Sequence, residues 1–131
     1  MSFLAKLAID GEEFNVLEFD INFSQKTDFT NKPDDITRGG SFRIVIESDR
    51  NTDFLSWMLS THEMKDGTVI FYRRDAMSKM KELKFTKAYC IEYKESFRST
   101  TEMPMKIEME IVSKDFDFSG TKYERPWTIE V

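Results

Sequence analysis

Residues 16–24 read VLEFDINFS, and residues 104–112 read PMKIEMEIV. In the first, Leu17, Phe19, Ile21 and Phe23 alternate with Glu18, Asp20 and Asn22. In the second, Met105, Ile107, Met109 and Ile111 alternate with Lys106, Glu108 and Glu110. A period of two sends successive side chains to opposite faces of a strand, so each stretch predicts a half-buried β-strand. SFRIVIES (41–48) repeats the pattern, with Phe42, Ile44 and Ile46 on one side. Asp10-Gly11, between FLAKLAI and EFNVLEF, is a hairpin-turn signal. Near the end, TKYERPWTIEV carries Pro126, which confines that position to a strand start, an edge or a bulge.

One segment departs from this period. NTDFLSWMLSTHEMKDG (51–67) pairs Phe54 with Met58 and Leu55 with Leu59 at helical spacing, with Asn51 or Thr52 able to cap the start. It predicts one helix of about three turns, followed by an Asp66-Gly67 turn. The expected fold is mainly β: an antiparallel barrel or small sandwich of about eight strands with one α-helix packed on its side.

The chain has 131 residues, the size of one domain spanning 1–131. With 12 Phe against 3 Pro and 5 Gly, it has the makings of a packed core. A single cysteine, Cys90, allows no intrachain disulfide, and one His with one Cys cannot furnish the usual zinc ligands; no cofactor is expected. The net charge of −5 argues against a nucleic-acid binder, which needs a basic excess. No run reaches the ~20 apolar residues of a membrane span. The start, MSFLAKLAIDGEEF, has no secretory leader, so folding in the cytoplasm is expected, and any export would proceed without a signal peptide.

Candidate chemistry is sparse. His62 has no third partner for a triad and reads as a surface residue at a helix end. Asp115 and Asp117 form a D-x-D pair able to ligate a metal, but KDFDFSG reads as a short strand with Phe116 and Phe118 turned inward. Gly39-Gly40 lacks the rest of a phosphate loop and suits a strand entry or bulge. Cys90, in an apolar run, reads as a buried thiol. Met77, Met80 and Met103 fall outside the clean alternation and are candidates for exposure.

VIFYRRDAMSKMKELKFTKAYCIEY (69–93) is the unusual stretch. Arg73, Arg74, Lys79, Lys81, Lys84 and Lys87 outweigh Asp75 and Glu82, with no Gly or Pro for a tight turn. A solvated link, a self-interface against the acidic remainder, and a nucleic-acid patch are the three readings, in that order. These residues alone support an acidic β-barrel with no evident active site. A monomeric binding module for a small ligand or oligonucleotide stays open, as does an enzyme built on His62 or the aspartate pair.

RGGSFRIVIES, TDFLSWMLS and DGTVIFYRRDAMSKMKELKFTKAYCIEYKESF, in that order and with the closing RPW, resemble the haemolysin-coregulated protein (Hcp, TssD) family, in its Bacteroidota branch. The resemblance implies a non-enzymatic tube subunit of type VI secretion, in which hexameric rings stack into a hollow tube. It implies self-association, a contractile sheath, spike proteins and effector cargo as partners, and export after assembly in the cytoplasm; from charge and apolar run length, no nucleic acid and no membrane insertion are expected. It also implies that the long connection QKTDFTNKPDDITRGG (25–40), which shows no strand or helix period, leaves the barrel to contact neighbouring copies. The expected contact residues are Asn31, Lys32, Pro33, Asp34, Asp35, Thr37, Arg38, Gly39 and Gly40, with Arg73, Arg74, Lys79, Lys81 and Lys84 as a second surface.

Overall fold

The computed structural model describes residues 4–27, 33–48, 53–73, 78–102 and 105–124; over 24–27 and 33–40 it describes the backbone. These residues form β1 (Leu4–Ile9), β2 (Glu12–Thr27), β3 (Pro33–Glu47), α1 (Leu55–Leu59), β4 (Lys65–Tyr72), β5 (Lys79–Phe97), β6 (Met105–Phe118) and β7 (Thr121–Glu124). The strand order is β3-β2-β1-β4-β5-β6-β7, and an added β3–β6 pairing closes the first six strands into an antiparallel barrel. Closure leaves the six strands with few open edges, and β7 lies outside the ring, on the second half of β6. Seven strands are seen among the described residues where about eight were expected; Pro126 lies outside them.

The alternation predicts much of the core. Phe42, Ile44, Ile46, Ile107, Met109 and Ile111 are all fully buried, and Asp10 and Gly11 take the positive φ of 55° and 78° that a two-residue turn requires. β2 departs from the expectation. Val16 pairs with Ile46 and Glu18 with the adjacent Val45, so Leu17 is an extra, bulged residue. The bulge inverts the faces along the strand: Phe14 and Val16 pack on the core before it, Phe19 and Ile21 after it. Leu17 instead lines a surface groove with Ser96 and Arg98, and Phe23 is 41% exposed against Phe116 and Tyr123.

Two further expectations are corrected. Gln25–Gly40 is no structureless connection: β2 continues to Thr27, β3 begins at Pro33, and Ser24↔Arg38 and Gln25↔Thr37 pair as a hairpin arm. The sequence of these two strands is largely polar and shows no period that would mark them. Its pairing with β2 slips at Gly39–Phe42, the bulge suggested by the glycine pair. The helix is five residues long, not three turns. Phe54 and Trp57 anchor it in the core, and the Trp57 indole N–H donates to the Glu63 carbonyl at 3.0 Å, folding the chain back after one turn. Leu55 and Leu59 point to solvent, 46% and 73% exposed. Phe54 is the N-cap; Asn51 and Thr52 lie outside the described residues. Asp66 and Gly67 sit inside β4, where the expected turn gives way to strand.

Candidate assembly interface

Among the described residues no group of three or more His, Cys, Asp or Glu side chains is placed to hold a metal. His62 is exposed just past the helix. Phe116 is buried and Phe118 packs against the core, as the D-x-D reading required. Asp117 accepts a hydrogen bond from the Gly120 N–H at 2.8 Å, a turn-closing role. Cys90 is buried, and burial pushes its thiol pKa up to about 11 while Sγ donates to the Glu92 carbonyl. None of these groups converges on a shared site.

The charged surfaces are organised instead. Residues 73–78 join β4 to β5 as a hairpin, closed by the Tyr72↔Lys79 pair and an Arg73 N–H to Ser78 carbonyl bond of 2.8 Å. The stretch is therefore a hairpin although it has no Gly or Pro for a tight turn. A loop of this length needs no positive-φ glycine, so no turn signal appears. Met80 is an extra residue between the Tyr72↔Lys79 and Phe71↔Lys81 pairs, and it is 46% exposed. Across that bulge Lys79 and Lys84 reach the same carboxylate, Glu82, at 2.9 and 3.6 Å. The hydrogen bond from Lys79 holds the Glu82 carboxyl below its ordinary pKa despite the opposing effect of desolvation. Lys81 lies on the other side, its Nζ 5.3 Å over the Phe118 ring. The hairpin thus presents Arg73, Lys79, Lys81 and Lys84 with Glu82 as their sole carboxylate among the described residues of the segment. Arg74 and Met77 lie outside the described residues.

The other expected surface is the β2–β3 arm. The backbone of Pro33, Asp34, Asp35, Thr37, Arg38, Gly39 and Gly40 runs as strand β3. Asn31 and Lys32 lie outside the described residues, as does Met103.

A third surface was not foreseen. Arg43 on β3 donates to Glu108 (3.0 Å), Asp20 (3.3 Å) and Glu18 (3.4 Å), linking β6, β3 and β2. The Arg43 hydrogen bond lowers the Glu108 pKa, against a weaker push upward from desolvation. Beside this network a groove of about 390 Å³ opens between α1 and the outer face of β5 and β6. Met58, Ile91 and Tyr93 give it an apolar floor, and Glu92, Glu108 and Glu110 rim it. Ile91 is an extra residue between the Cys90↔Ile111 and Glu92↔Glu110 pairs and is 47% exposed. Alternation marks Arg43, Glu108 and Glu110 as outward-facing, but their meeting depends on cross-strand register, which the sequence does not display.

The family model for the haemolysin-coregulated protein Hcp (TssD) matches residues 1–128. Hcp1 from Flavobacterium johnsoniae is 36% identical, with 94% of this chain and 100% of that chain covered and a TM-score of 0.88. Hcp1 from Salmonella typhimurium (14% identity, 94% and 92% covered, TM-score 0.73) and Hcp3 from Pseudomonas aeruginosa (12%, 98% and 100%, 0.63) share the fold. No curated protein sequence matches.

Proposed function

Because the chain belongs to the Hcp (TssD) family and is a tube subunit of type VI secretion, we propose that six copies close into a ring and that rings stack into the tube. The observation that carries this reading is the family match over residues 1–128, with the 0.88 TM-score to a 36%-identical Hcp1 in support. Ring closure needs two different, complementary patches on each copy, repeated head to tail; stacking needs an open contact along the axis. Ser24–Thr27 and Pro33–Gly40 suit the stacking contact because their backbones pair with each other beyond Ser41, where the β3–β6 pairing that closes the barrel begins. The role is structural and non-enzymatic. The sheath surrounds the tube, the spike caps it, and effectors ride in the ring before export without a signal peptide.

Native mass measurement and electron microscopy of the purified protein test this. Rings with a central hole and a mass near six subunits are expected. Compact monomers across the accessible concentration range would overturn it in favour of a binding module.

A further inference from the structure

Two surfaces of this chain match each other. The β4–β5 hairpin carries an exposed apolar residue, Met80, on a bulge, and the cations Arg73, Lys79 and Lys84 are exposed on the same hairpin. The groove beside α1 carries an exposed apolar residue, Ile91, on a bulge, surrounded by Glu92, Glu108 and Glu110. The cations on the hairpin are in excess: Lys79 and Lys84 share Glu82, and their side chains are 58% and 64% exposed. The carboxylates at the groove are in excess as well. Arg43 is divided among Glu18, Asp20 and Glu108, which leaves Lys94 as the other cation lining the groove against Glu92 and Glu110.

We propose that the groove between α1 and β5–β6 is the docking site for the β4–β5 hairpin of a second copy of this chain, Met80 seating against Ile91 and Met58 while the lysines meet Glu92 and Glu110. The proposal rests on the ring reading above and assigns its two complementary patches. An apolar centre with oppositely charged rims is how a protein contact gains both affinity and register. The two patches share β5 but use different residues of it, Lys79–Lys84 for the hairpin and Ile91–Lys94 for the groove, so a copy that docks its hairpin still offers its groove to the next. That is the head-to-tail geometry a closed ring requires.

The occupant can be tested by charge exchange between copies. One variant carries Lys79→Glu with Lys84→Glu; the other carries Glu92→Lys with Glu110→Lys. Circular dichroism and thermal melts first establish that both fold. Sedimentation velocity then reads assembly of each alone and of a 1:1 mixture. Each variant alone is expected to associate at least about tenfold more weakly than wild type, since like charges now face each other. The mixture is expected to recover ring mass, because the acidic hairpin of one variant fits the basic groove of the other and the reverse. Wild-type assembly by both variants alone would overturn the proposal while leaving the ring reading intact. Weakened variants that fail to recover on mixing would also overturn it, since the hairpin would then meet some other surface. A wild-type protein that never assembles would bring down the ring reading and this proposal together.

Discussion

The Phe85 ring occupies the space a side chain on Gly67 would need: a β-carbon there would lie 2.6 Å from Phe85 Cζ and 3.1 Å from the Ala8 carbonyl oxygen. Phe85 is 1% exposed and packs on Phe42 with ring centroids 5.2 Å apart, so the ring has little room to retreat. Gly67→Ala should therefore destabilise the barrel by roughly 1–3 kcal/mol through overpacking. Adding Phe85→Leu should recover part of the loss by clearing the clash. Urea denaturation of both variants decides; an unchanged midpoint for Gly67→Ala would show that the ring yields freely.

Arg43 gives the protein a specific acid sensitivity. Glu108 has a folded-state pKa below its ordinary value, chiefly from the Arg43 hydrogen bond. A carboxylate so shifted contributes stability that is fully present above its unfolded pKa and lost as pH falls through the folded one. With side chains 31% and 40% exposed, solvent screening limits the pair to about 1 kcal/mol or less. Arg43→Met should be slightly less stable at neutral pH and should converge with wild type in acid. Parallel stability curves down to about pH 3 would remove the network from the ledger.

Trp57 and Leu59 lie two positions apart and should behave oppositely. Trp57 is 1% exposed and bonds the Glu63 carbonyl, whereas Leu59 is 73% exposed. Trp57→Ala should cost about 3–5 kcal/mol. Leu59→Ala should stay within about 0.5 kcal/mol. Thermal denaturation of the pair checks this, and a large loss at Leu59 would mean that this face is covered.

Replacing residues 26–36 by Asn-Gly would link Gln25 to Thr37, its register partner, through a two-residue turn. The buried Phe42, Ile44 and Ile46 are untouched, so the barrel should keep its circular dichroism and melting temperature. Stacking and appearance in culture supernatant should be lost if the arm is the axial contact. Wild-type tubes from this variant would assign stacking elsewhere.

Cys90 should be inert until the barrel opens. Its thiol is buried and its pKa raised to about 11, so little nucleophilic thiolate exists near neutrality. A disulfide reagent at pH 8 should label it at the rate of unfolding, and denaturant should accelerate the reaction. Rapid labelling of the folded protein would contradict the burial.

Alternation predicted β3 and β6 because one face of each meets the core and the other meets water, so the chain itself records which is which. Asp10-Gly11 was legible for a similarly local reason: the turn needs positive φ at both residues. Local chemistry failed where no core enforces a pattern. Residues 24–27 and 33–40 are paired strand although their sequence shows no apolar alternation, and the helix stops where the Trp57–Glu63 bond turns the chain. The hairpin at 73–78 left no turn signal because a longer loop carries no glycine requirement.

By itself the sequence determined a mainly β protein with one helix, an acidic balance, no evident catalytic cluster and the family to which it belongs. These follow from properties carried within short stretches of chain: side-chain period, turn chemistry, ligand count and ordered motifs. Tertiary structure alone decided which charges meet. The bulges at Leu17, Met80 and Ile91 reset the facing of their strands by one residue, and each exists only relative to a partner strand distant in sequence. Arg43 finds Glu18, Asp20 and Glu108 for the same reason: register is a property of two strands together, and neither encodes it alone.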